Sequence, residues 1–350
     1  MSEYYVRSTG GSDGNTGLTF AQGWSTLAYA FSNSSANDIL YICSTEASPF
    51  SLTSTWTVTS EREYIGCDLT DGSPYNGTGK AHIKKTSGTA TMVQTTTVNK
   101  DTLWQDICFD GNNTTYNVFT MNGTVDTYNY MFRNCDFKDS YDRGVKISIT
   151  STLGVRHYSV CFHNCNIYGH YFSGLYVDQP SGSCLHVVMS NCSIYDNGYH
   201  NIQFDVPASL SLFNCRVFTS SSAGIYLGNI DGHVNVQHSI IALNSSHGIQ
   251  VSVSDSVNRL NIFNSIIAHN GGWGIYKASN NALWASASHN CFYDNTSGNL
   301  SSYINSGVLT GYGNVTTDPL FENISSGSEN FSLQDGSPCI NSGYGYEGSK

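Results

Sequence analysis

A short block recurs six times between residues 132 and 277, and it constrains the fold more than any other feature of the sequence. Each block begins with Asn-Cys or a close variant, and a Gly or Asn follows nine residues after the Cys or Ser. The blocks begin at Asn134, Asn164, Asn191, Asn214, His238 and Asn264. The spacing within a block is constant, whereas the distance between blocks varies. Each unit therefore consists of a fixed part and a loop of variable length.

Two apolar residues in i, i+2 spacing follow each Gly, which is typical of a short β-strand with one buried face. The pairs are Val145/Ile147, Leu175/Val177, Ile202/Phe204, Ile225/Leu227, Ile249/Val251 and the half-polar Ile275/Lys277. A period of 23 to 30 residues that contains such strands predicts a solenoid, in which each repeat buries its apolar face against its neighbours. No segment of the repeats has a helical apolar period, so the coils are predicted to consist of short strands.

The repeat resembles the right-handed parallel β-helix unit of the pectate-lyase-like superfamily. The asparagines match the internal asparagine ladder of that family: Asn134, Asn164, Asn191, Asn214, Asn264 and Asn290. The opening at 11–17 and the endings at 318–321 and 336–340 also resemble family members. The resemblance implies an all-β, single-stranded right-handed parallel β-helix. It implies little about function, because the superfamily includes lyases, hydrolases, phage tailspikes and inert virion parts.

We predict a single β-helix domain over residues 1–350. An N-terminal cap and irregular first coils occupy 1–102, regular coils occupy 103–296, and a closing segment occupies 297–350. Trp24, Leu27, Ala28 and Phe31 have helical spacing and predict a short helix that caps the open N-terminal end of the solenoid.

Composition and charge narrow the range of partners. The formal net charge is −11, so no nucleic-acid partner is expected, because phosphate binding needs a basic surface. No run of 18 apolar residues exists and the N-terminus lacks a basic and then apolar pattern, so neither a membrane span nor a signal peptide is predicted.

The cysteines form a pattern of their own. Five of the eleven occupy one repeat position: Cys108, Cys135, Cys165, Cys192 and Cys215. We interpret them as a column of small buried side chains with free thiols, formed in a reducing cytosol. Stacked neighbours lie within the Cα reach of a disulfide, so pairing stays an alternative.

If the apolar pair points inward, the second and fourth positions after each Gly point outward on one sheet. The second position reads Lys146, Tyr176, Gln203, Tyr226, Gln250 and Tyr276. Aromatic rings and amides suit the faces and hydroxyls of sugars, so the five residues from Tyr176 to Tyr276 are the predicted glycan contacts. The alternative is that exposed strand positions favour Tyr, Gln and Thr in any protein.

The fourth position contains Asp178 and Asp205 in successive coils, predicted about 4.8 Å apart at the backbone. Two close carboxylates suit a retaining glycosidase or a Ca²⁺ site, and the alternative is two solvated acids. Arg143 and Lys146 would be the charge neutraliser and the base of a lyase, although the local motifs of β-helix lyases are not recognisable.

No other metal or cofactor site is predicted. His157, Cys161, His163 and Cys165 lie along one strand, and they spread over too long a line for one tetrahedral ion. No nucleotide-binding or hydrolase motif is present. Apart from the Ca²⁺ alternative at the two aspartates, we expect no cofactor.

The functional hypothesis follows from the predicted lack of an export signal, the free thiols and the lack of a catalytic motif. According to this hypothesis, the protein is a bacteriophage virion appendage, either a capsid decoration or a spike protein, that folds in the host cytosol. It would form a homotrimer, contact other virion proteins, and touch host glycans through a side wall of the β-helix. The alternatives are an extracellular polysaccharide lyase or glycoside hydrolase that uses Asp178, Asp205, Lys146 and Arg143, and a secreted glycan-binding protein.

Overall fold

The structure is a computed structural model, and the chain is an all-β parallel β-solenoid. The described residues are 1–96, 101–124, 128–150, 157–178, 184–206, 208–228, 232–252, 258–278, 283–304 and 313–343. They form two compact units, and each unit is described by itself. The expectation of a single domain stays a prediction.

The first unit comprises residues 1–171 and 178–184. Its strands are β1 (Glu3–Arg7), β2 (Ile39–Cys43), β3 (Phe50–Leu52), β4 (Trp56–Val58), β5 (Glu63–Cys67), β6 (Ala81–Lys85), β7 (Val93–Thr95), β8 (Thr102–Gln105), β9 (Ile107–Asp110), β10 (Asn117–Thr124), β11 (Tyr128–Arg133), β12 (Asp136–Lys138), β13 (Arg143–Thr150), β14 (His157–His163) and β15 (Asn166–Tyr168). They form three parallel sheets. The order is β1-β2-β5-β8-β11-β14 in sheet A, β3-β6-β9-β12-β15 in sheet B, and β4-β7-β10-β13 in sheet C.

The second unit comprises residues 172–177 and 185–350. The strands that lie wholly or mainly in it are β16 (Leu175–Val177), β17 (Cys184–Ser190), β18 (Ser193–Tyr195), β19 (Ile202–Phe204), β20 (Ser209–Phe213), β21 (Arg216–Phe218), β22 (Ile225–Leu227), β23 (His233–Gln237), β24 (Ile240–Ala242), β25 (Ile249–Val251), β26 (Asn258–Phe263), β27 (Ile266–Ala268), β28 (Trp273–Lys277), β29 (Leu283–Ser288), β30 (Cys291–Tyr293), β31 (Gly298–Leu300), β32 (Phe321–Asn323) and β33 (Asn330–Leu333). The order is β17-β20-β23-β26-β29 in sheet A, β18-β21-β24-β27-β30 in sheet B, and β16-β19-β22-β25-β28-β31 in sheet C. The last two strands form a separate antiparallel pair.

The predicted capping helix is present as α1 (Leu27–Asn33). Thr26 caps its N-terminus, because the Thr26 side chain accepts a hydrogen bond from the backbone N–H of Tyr29. Leu27 and Ala30 are buried, and Trp24, just before the helix, stacks on Tyr4 of the first strand at 4.8 Å. Among the described residues, no helix is long and apolar enough to span a membrane.

From β8 to β29, a residue in the left-handed backbone region directly follows each sheet A strand and sets the register of the coil. These residues are Asp106, Asn134, Asn164, Asn191, Asn214, His238, Asn264 and His289, with φ between 51° and 58°. Asn and Asp tolerate this conformation better than other residues with a side chain, which explains why Asn recurs at this position.

The cysteine column is confirmed for Cys135, Cys165, Cys192 and Cys215 and is wrong for Cys108. Asp136 pairs with Asn166, and Ser193 with Arg216, so Cys135 lies beside Cys165 and Cys192 beside Cys215. Cys108 pairs instead with Asp136. Cys108 is one residue out of the row, because Asp106 is the left-handed residue of its coil. Alignment on Cys therefore placed this coil incorrectly.

The predicted asparagine ladder is internal only in part, because Asn134 and Asn290 are buried and Asn264 is half-buried. Asn164, Asn191 and Asn214 are exposed at the turn; Asn214 donates to Asn191 at 2.7 Å on the surface. In both units, buried polar residues lie at the next turn, after sheet B. They are Ser140 and His170 in the first unit, and Asn197, Ser220, Asn244, Asn270 and Asn295 in the second. Each of these residues follows a residue with positive φ, and together they satisfy backbone groups that the turn would otherwise leave without partners.

Candidate functional site

Sheet C of the second unit presents the predicted outward column. The apolar pairs of β16, β19, β22 and β25 are buried, and the residue between them is partly exposed in every strand. In β28 the second member of the pair is Lys277, which is 4% exposed and points inward; burial lowers its pKa. The predicted alternation of inward and outward side chains is therefore present in β16, β19, β22, β25 and β28.

The five predicted glycan contacts lie directly beside one another. Tyr176 pairs with Gln203, Gln203 with Tyr226, Tyr226 with Gln250, and Gln250 with Tyr276. Parallel strands lie about 4.8 Å apart, so these side chains form one straight row across the strands. The structure places the residues together as predicted, and their role in glycan binding stays a prediction.

Two histidines that the sequence analysis missed stack on tyrosines of this row. The His200 ring lies 4.6 Å from the Tyr226 ring with an interplanar angle of 16°, and the His247 ring lies 4.3 Å from the Tyr276 ring at 14°. We call these two pairs the His–Tyr couples. The sequence signal was present, because each histidine directly precedes the repeat Gly or its Asn replacement.

The backbone of the next coil fixes both imidazoles in the same way. The N–H of Ala223 donates to Nδ1 of His200 at 3.2 Å, and the N–H of Trp273 donates to Nδ1 of His247 at 2.9 Å. Burial lowers the pKa of His200 to about 4 and also lowers the pKa of His247. Both rings are therefore neutral near pH 7, and each holds a tyrosine ring in a fixed position.

Side-chain hydrogen bonds also fix the first glutamine of the row. Ser173 Oγ donates to Gln203 Oε1 at 2.6 Å, and Gln203 Nε2 donates to both Asp205 oxygens at 3.0 and 3.1 Å. Gly228 leaves room beside this group, because a Cβ there would lie 2.8 Å from Cε1 of Tyr226 and 3.1 Å from Asp205 Oδ1. The Gln203 amide and the Asp205 carboxylate thus have a set orientation on the outer face.

The predicted cations of sheet C in the first unit are paired with acids. Lys146 Nζ lies 2.9 Å from Asp178 Oδ2, and Arg143 Nη1 lies 2.5 Å from Asp142 Oδ2. Burial raises the pKa of Asp142, and the charge of Arg143 opposes that rise. A lysine base must be neutral, whereas an adjacent carboxylate favours the charged form of a lysine. This arrangement favours a structural role for the cations over the lyase hypothesis.

Asp178 belongs to the first unit and Asp205 to the second. The predicted acid pair, whether glycosidase or Ca²⁺ site, therefore stays a hypothesis. Within each unit the two carboxylates have different partners, a lysine for Asp178 and a glutamine amide for Asp205. Within the described ranges, no group of three or more His, Cys, Asp or Glu residues is placed to hold a metal ion. The side chain of His157 lies outside the described set.

Comparison with known proteins identifies the family. A family model described as "Right handed beta helix region" matches residues 119–316. The chain belongs to this right-handed β-helix family. No curated protein matches the sequence.

Solved structures of other right-handed β-helix proteins are similar in fold at low sequence identity. Pectate lyase Pel9A is 13% identical, with a TM-score of 0.53, over 98% of this chain and 92% of that chain. A rhamnogalacturonan lyase is 13% identical, with a TM-score of 0.50, over 93% and 91%. The Dettilon tailspike protein is 10% identical, with a TM-score of 0.50, over 91% and 69%. At these identities the likeness establishes the fold of this β-helix protein and nothing about its activity.

Proposed function

We propose that this β-helix protein binds a surface polysaccharide without cleaving it, as part of a bacteriophage particle. The observation that carries the proposal is the straight row of Tyr176, Gln203, Tyr226, Gln250 and Tyr276 on sheet C. Tyrosine rings offer flat apolar surface and glutamine amides offer a donor and an acceptor, which together suit sugar rings and their hydroxyls.

The rigidity of the row supports binding. The His–Tyr couples and the hydrogen bonds of Gln203 hold these side chains in place before a ligand arrives. A pre-ordered side chain loses less conformational entropy on binding. A flat row that follows the solenoid axis would contact a linear chain at several successive positions.

The particle role has two supports. The fold is similar to that of a phage tailspike. Among the described residues, Cys43, Cys67, Cys108 and Cys215 are free thiols, which is typical of a protein that folds in a reducing cytosol. We further propose that the protein forms a homotrimer, contacts other virion proteins and is located in the virion.

A polysaccharide panel tests the binding proposal. The purified chain is mixed with neutral and acidic bacterial surface polysaccharides, and binding is measured by affinity electrophoresis. We expect retardation by at least one polysaccharide, with loss of retardation in Tyr226→Ala. The matched control is Tyr303→Ala, because Tyr303 is 49% exposed and lies outside sheet C. Equal binding by Tyr226→Ala and the wild type would count against the row.

An enzyme is the second candidate, because Asp178 Oδ1 is buried and has no hydrogen-bond partner among the described residues. A carboxylate with an unused oxygen beside Lys146 is a candidate acid or base. The same panel is assayed for unsaturated products by absorbance and for new reducing ends. We expect no products. Product formation that Asp178→Asn abolishes would replace the binding proposal with a polysaccharide lyase or glycoside hydrolase.

The particle role has its own test. Analytical ultracentrifugation is expected to give a mass of about three chains of 38.1 kDa each. Mass spectrometry of purified phage particles from the source of the sequence is expected to detect the chain. A monomeric mass, or failure to detect the chain in the particles, would contradict the particle role. Neither result would affect the glycan-binding proposal, which the polysaccharide panel tests.

A further inference from the structure

The outward row on sheet C of the second unit alternates strictly between two residue types. Going from strand to strand it reads Tyr176, Gln203, Tyr226, Gln250 and Tyr276, and all four steps are in register. A tyrosine therefore recurs at every second coil. Strands in a sheet lie about 4.8 Å apart, so the tyrosines repeat at about 9.6 Å along the solenoid.

The residues around the row repeat with the same two-coil period. Coils with a glutamine carry a histidine before the repeat Gly or Asn, namely His200 and His247. The next coil in each case carries the tyrosine on which that histidine stacks. Both histidines also accept a backbone N–H from that next coil. The structural unit of this surface is thus a pair of coils, although each coil is one sequence repeat.

A two-coil period matches one kind of ligand. An extended, equatorially linked hexopyranose chain advances by nearly one strand spacing for each sugar, and alternate sugars are turned over about the chain axis. Equivalent ring faces and hydroxyls therefore recur at every second sugar. If such a chain lay along the row, every tyrosine would contact an equivalent face of a sugar ring. Every glutamine would contact the sugar between two such rings, which has the opposite orientation.

The charge of the surface indicates a neutral chain. The described cations of the second unit are Arg216 on sheet B, Arg259 on sheet A and Lys277, which points inward. Sheet C of this unit therefore shows no outward cation among the described residues. Its charged outward group is the carboxylate of Asp205, which would repel an acidic sugar.

We infer that the tyrosine–glutamine row binds a neutral, linear, equatorially linked polysaccharide parallel to the solenoid axis, with two sugars for every two coils. This inference rests on the proposed glycan-binding function and specifies the class of glycan and its register. The His–Tyr couples keep every second binding position rigid.

A length series tests the register. The full chain is titrated calorimetrically with cello-, manno- and chito-oligosaccharides of two to eight sugars, and with oligogalacturonates as the acidic comparison. We expect one neutral series to bind, with affinity rising in steps of two sugars as each further tyrosine is reached. Removal of one ring in Tyr226→Ala is expected to weaken the hexasaccharide about tenfold. Tyr226→Phe, which keeps the ring, is expected to stay within about threefold of the wild type.

The outcomes separate this inference from the proposal on which it rests. Binding that grows equally with each sugar, a preference for oligogalacturonates, or binding only to branched polysaccharides of the panel would overturn the inference and leave glycan binding intact. Failure to bind any polysaccharide of the panel would overturn both. The control Tyr303→Ala is expected to bind as the wild type, and circular dichroism confirms that each variant is folded.

Discussion

Lys146 Nζ lies 2.9 Å from Asp178 Oδ2, and both side chains are about three-quarters buried, with exposed fractions of 26% and 24%. The pair joins β13 to the residue that directly follows β16, where the N–H of Asp178 also donates to the carbonyl of Ile147 at 3.1 Å. The lysine that the lyase hypothesis would use as its base is therefore the partner of one carboxylate of the predicted acid pair.

The first prediction concerns the energy of this ion pair. Lys146→Met, Asp178→Asn and the double variant form a thermodynamic cycle, measured by urea unfolding. We expect a coupling of about 1 kcal/mol, because the pair is partly buried and its geometry is close. For Lys84 and Asp110, which are 3.7 Å apart with the lysine more exposed, we expect less than about 0.5 kcal/mol. Additive effects at Lys146 and Asp178 would contradict the assignment of a stabilising pair.

The second prediction concerns His170. It is 2% exposed; Nδ1 accepts the N–H of Ser140 at 3.2 Å, and Nε2 lies 3.1 Å from the carbonyl oxygen of Phe137. Burial lowers the pKa of His170 to about 3, below the ordinary value of about 6.5. Between these two pH values, His170 is therefore protonated in the unfolded chain and neutral in the folded chain. Stability from this residue is complete above about pH 6.5 and is lost as the pH falls, by at most about 1.4 kcal/mol for each pH unit.

Urea unfolding at pH 7.5, 6.5, 5.5 and 4.5 checks this prediction. His170→Gln is expected to be less stable than the wild type at pH 7.5 and to have a shallower dependence on pH. A variant whose dependence on pH equals that of the wild type would show that His170 does not titrate as described.

The third prediction concerns the buried amide row after sheet B. Asn244 Nδ2 donates to Asn270 Oδ1 at 2.9 Å, and Asn270 Nδ2 donates to Asn295 Oδ1 at 2.8 Å. Asn270→Ala removes the acceptor of the buried Asn244 backbone N–H and the Asn270 donor to Asn295 Oδ1, and it is expected to cost about 2–3 kcal/mol. Asn214→Gly at the exposed row keeps the left-handed backbone accessible and is expected to cost about 1 kcal/mol or less. Equal losses in chemical denaturation would contradict the distinction between a buried and an exposed row.

The fourth prediction concerns the thiols. Burial raises the pKa of Cys108 to about 12, whereas a hydrogen bond from Cys291 lowers the pKa of Cys339, which lines a cleft of about 430 Å³. The thiolate is the reactive form, so Cys339 is expected to react with iodoacetamide at least about tenfold faster than Cys108 in the native protein. In denaturant without reductant, intact mass is expected to show eleven labels, one for each cysteine. A label count lower by two for each pair would reveal disulfides.

The coil architecture was predictable because a solenoid repeats its backbone. Constant spacing from Cys to Gly gave the inward residues Leu175 and Val177 and the outward row without any long-range information. The coil of Cys108 was misplaced because Cys108 looks like a member of the column, whereas the register depends on the left-handed residue Asp106. Backbone conformation, and not the identity of the buried side chain, is what the repeats share.

The side-chain partners of the candidate site could be predicted only in part. The alternation of side chains between the two faces of a strand placed Tyr226 and Gln250 on the outer face. This alternation does not predict that His200 stacks on Tyr226 or that Lys146 reaches Asp178. Those contacts depend on the direction in which each side chain turns towards the next coil. The buried amide row was missed for a related reason, since Ser, His and Asn all occupy it and no single residue type marks it.

The most direct test of the whole account is to compare two triple variants for binding to the polysaccharide found in the panel. The first variant, Tyr176→Ala with Tyr226→Ala and Tyr276→Ala, removes every ring of the sheet C row. The second, Tyr29→Ala with Phe213→Ala and Tyr303→Ala, removes three exposed rings outside sheet C. We predict that the first variant stays folded and loses binding by at least about a hundredfold, whereas the second binds as the wild type. Unchanged binding by the first variant, or loss of binding by the second alone, would contradict the assignment of sheet C as the binding surface.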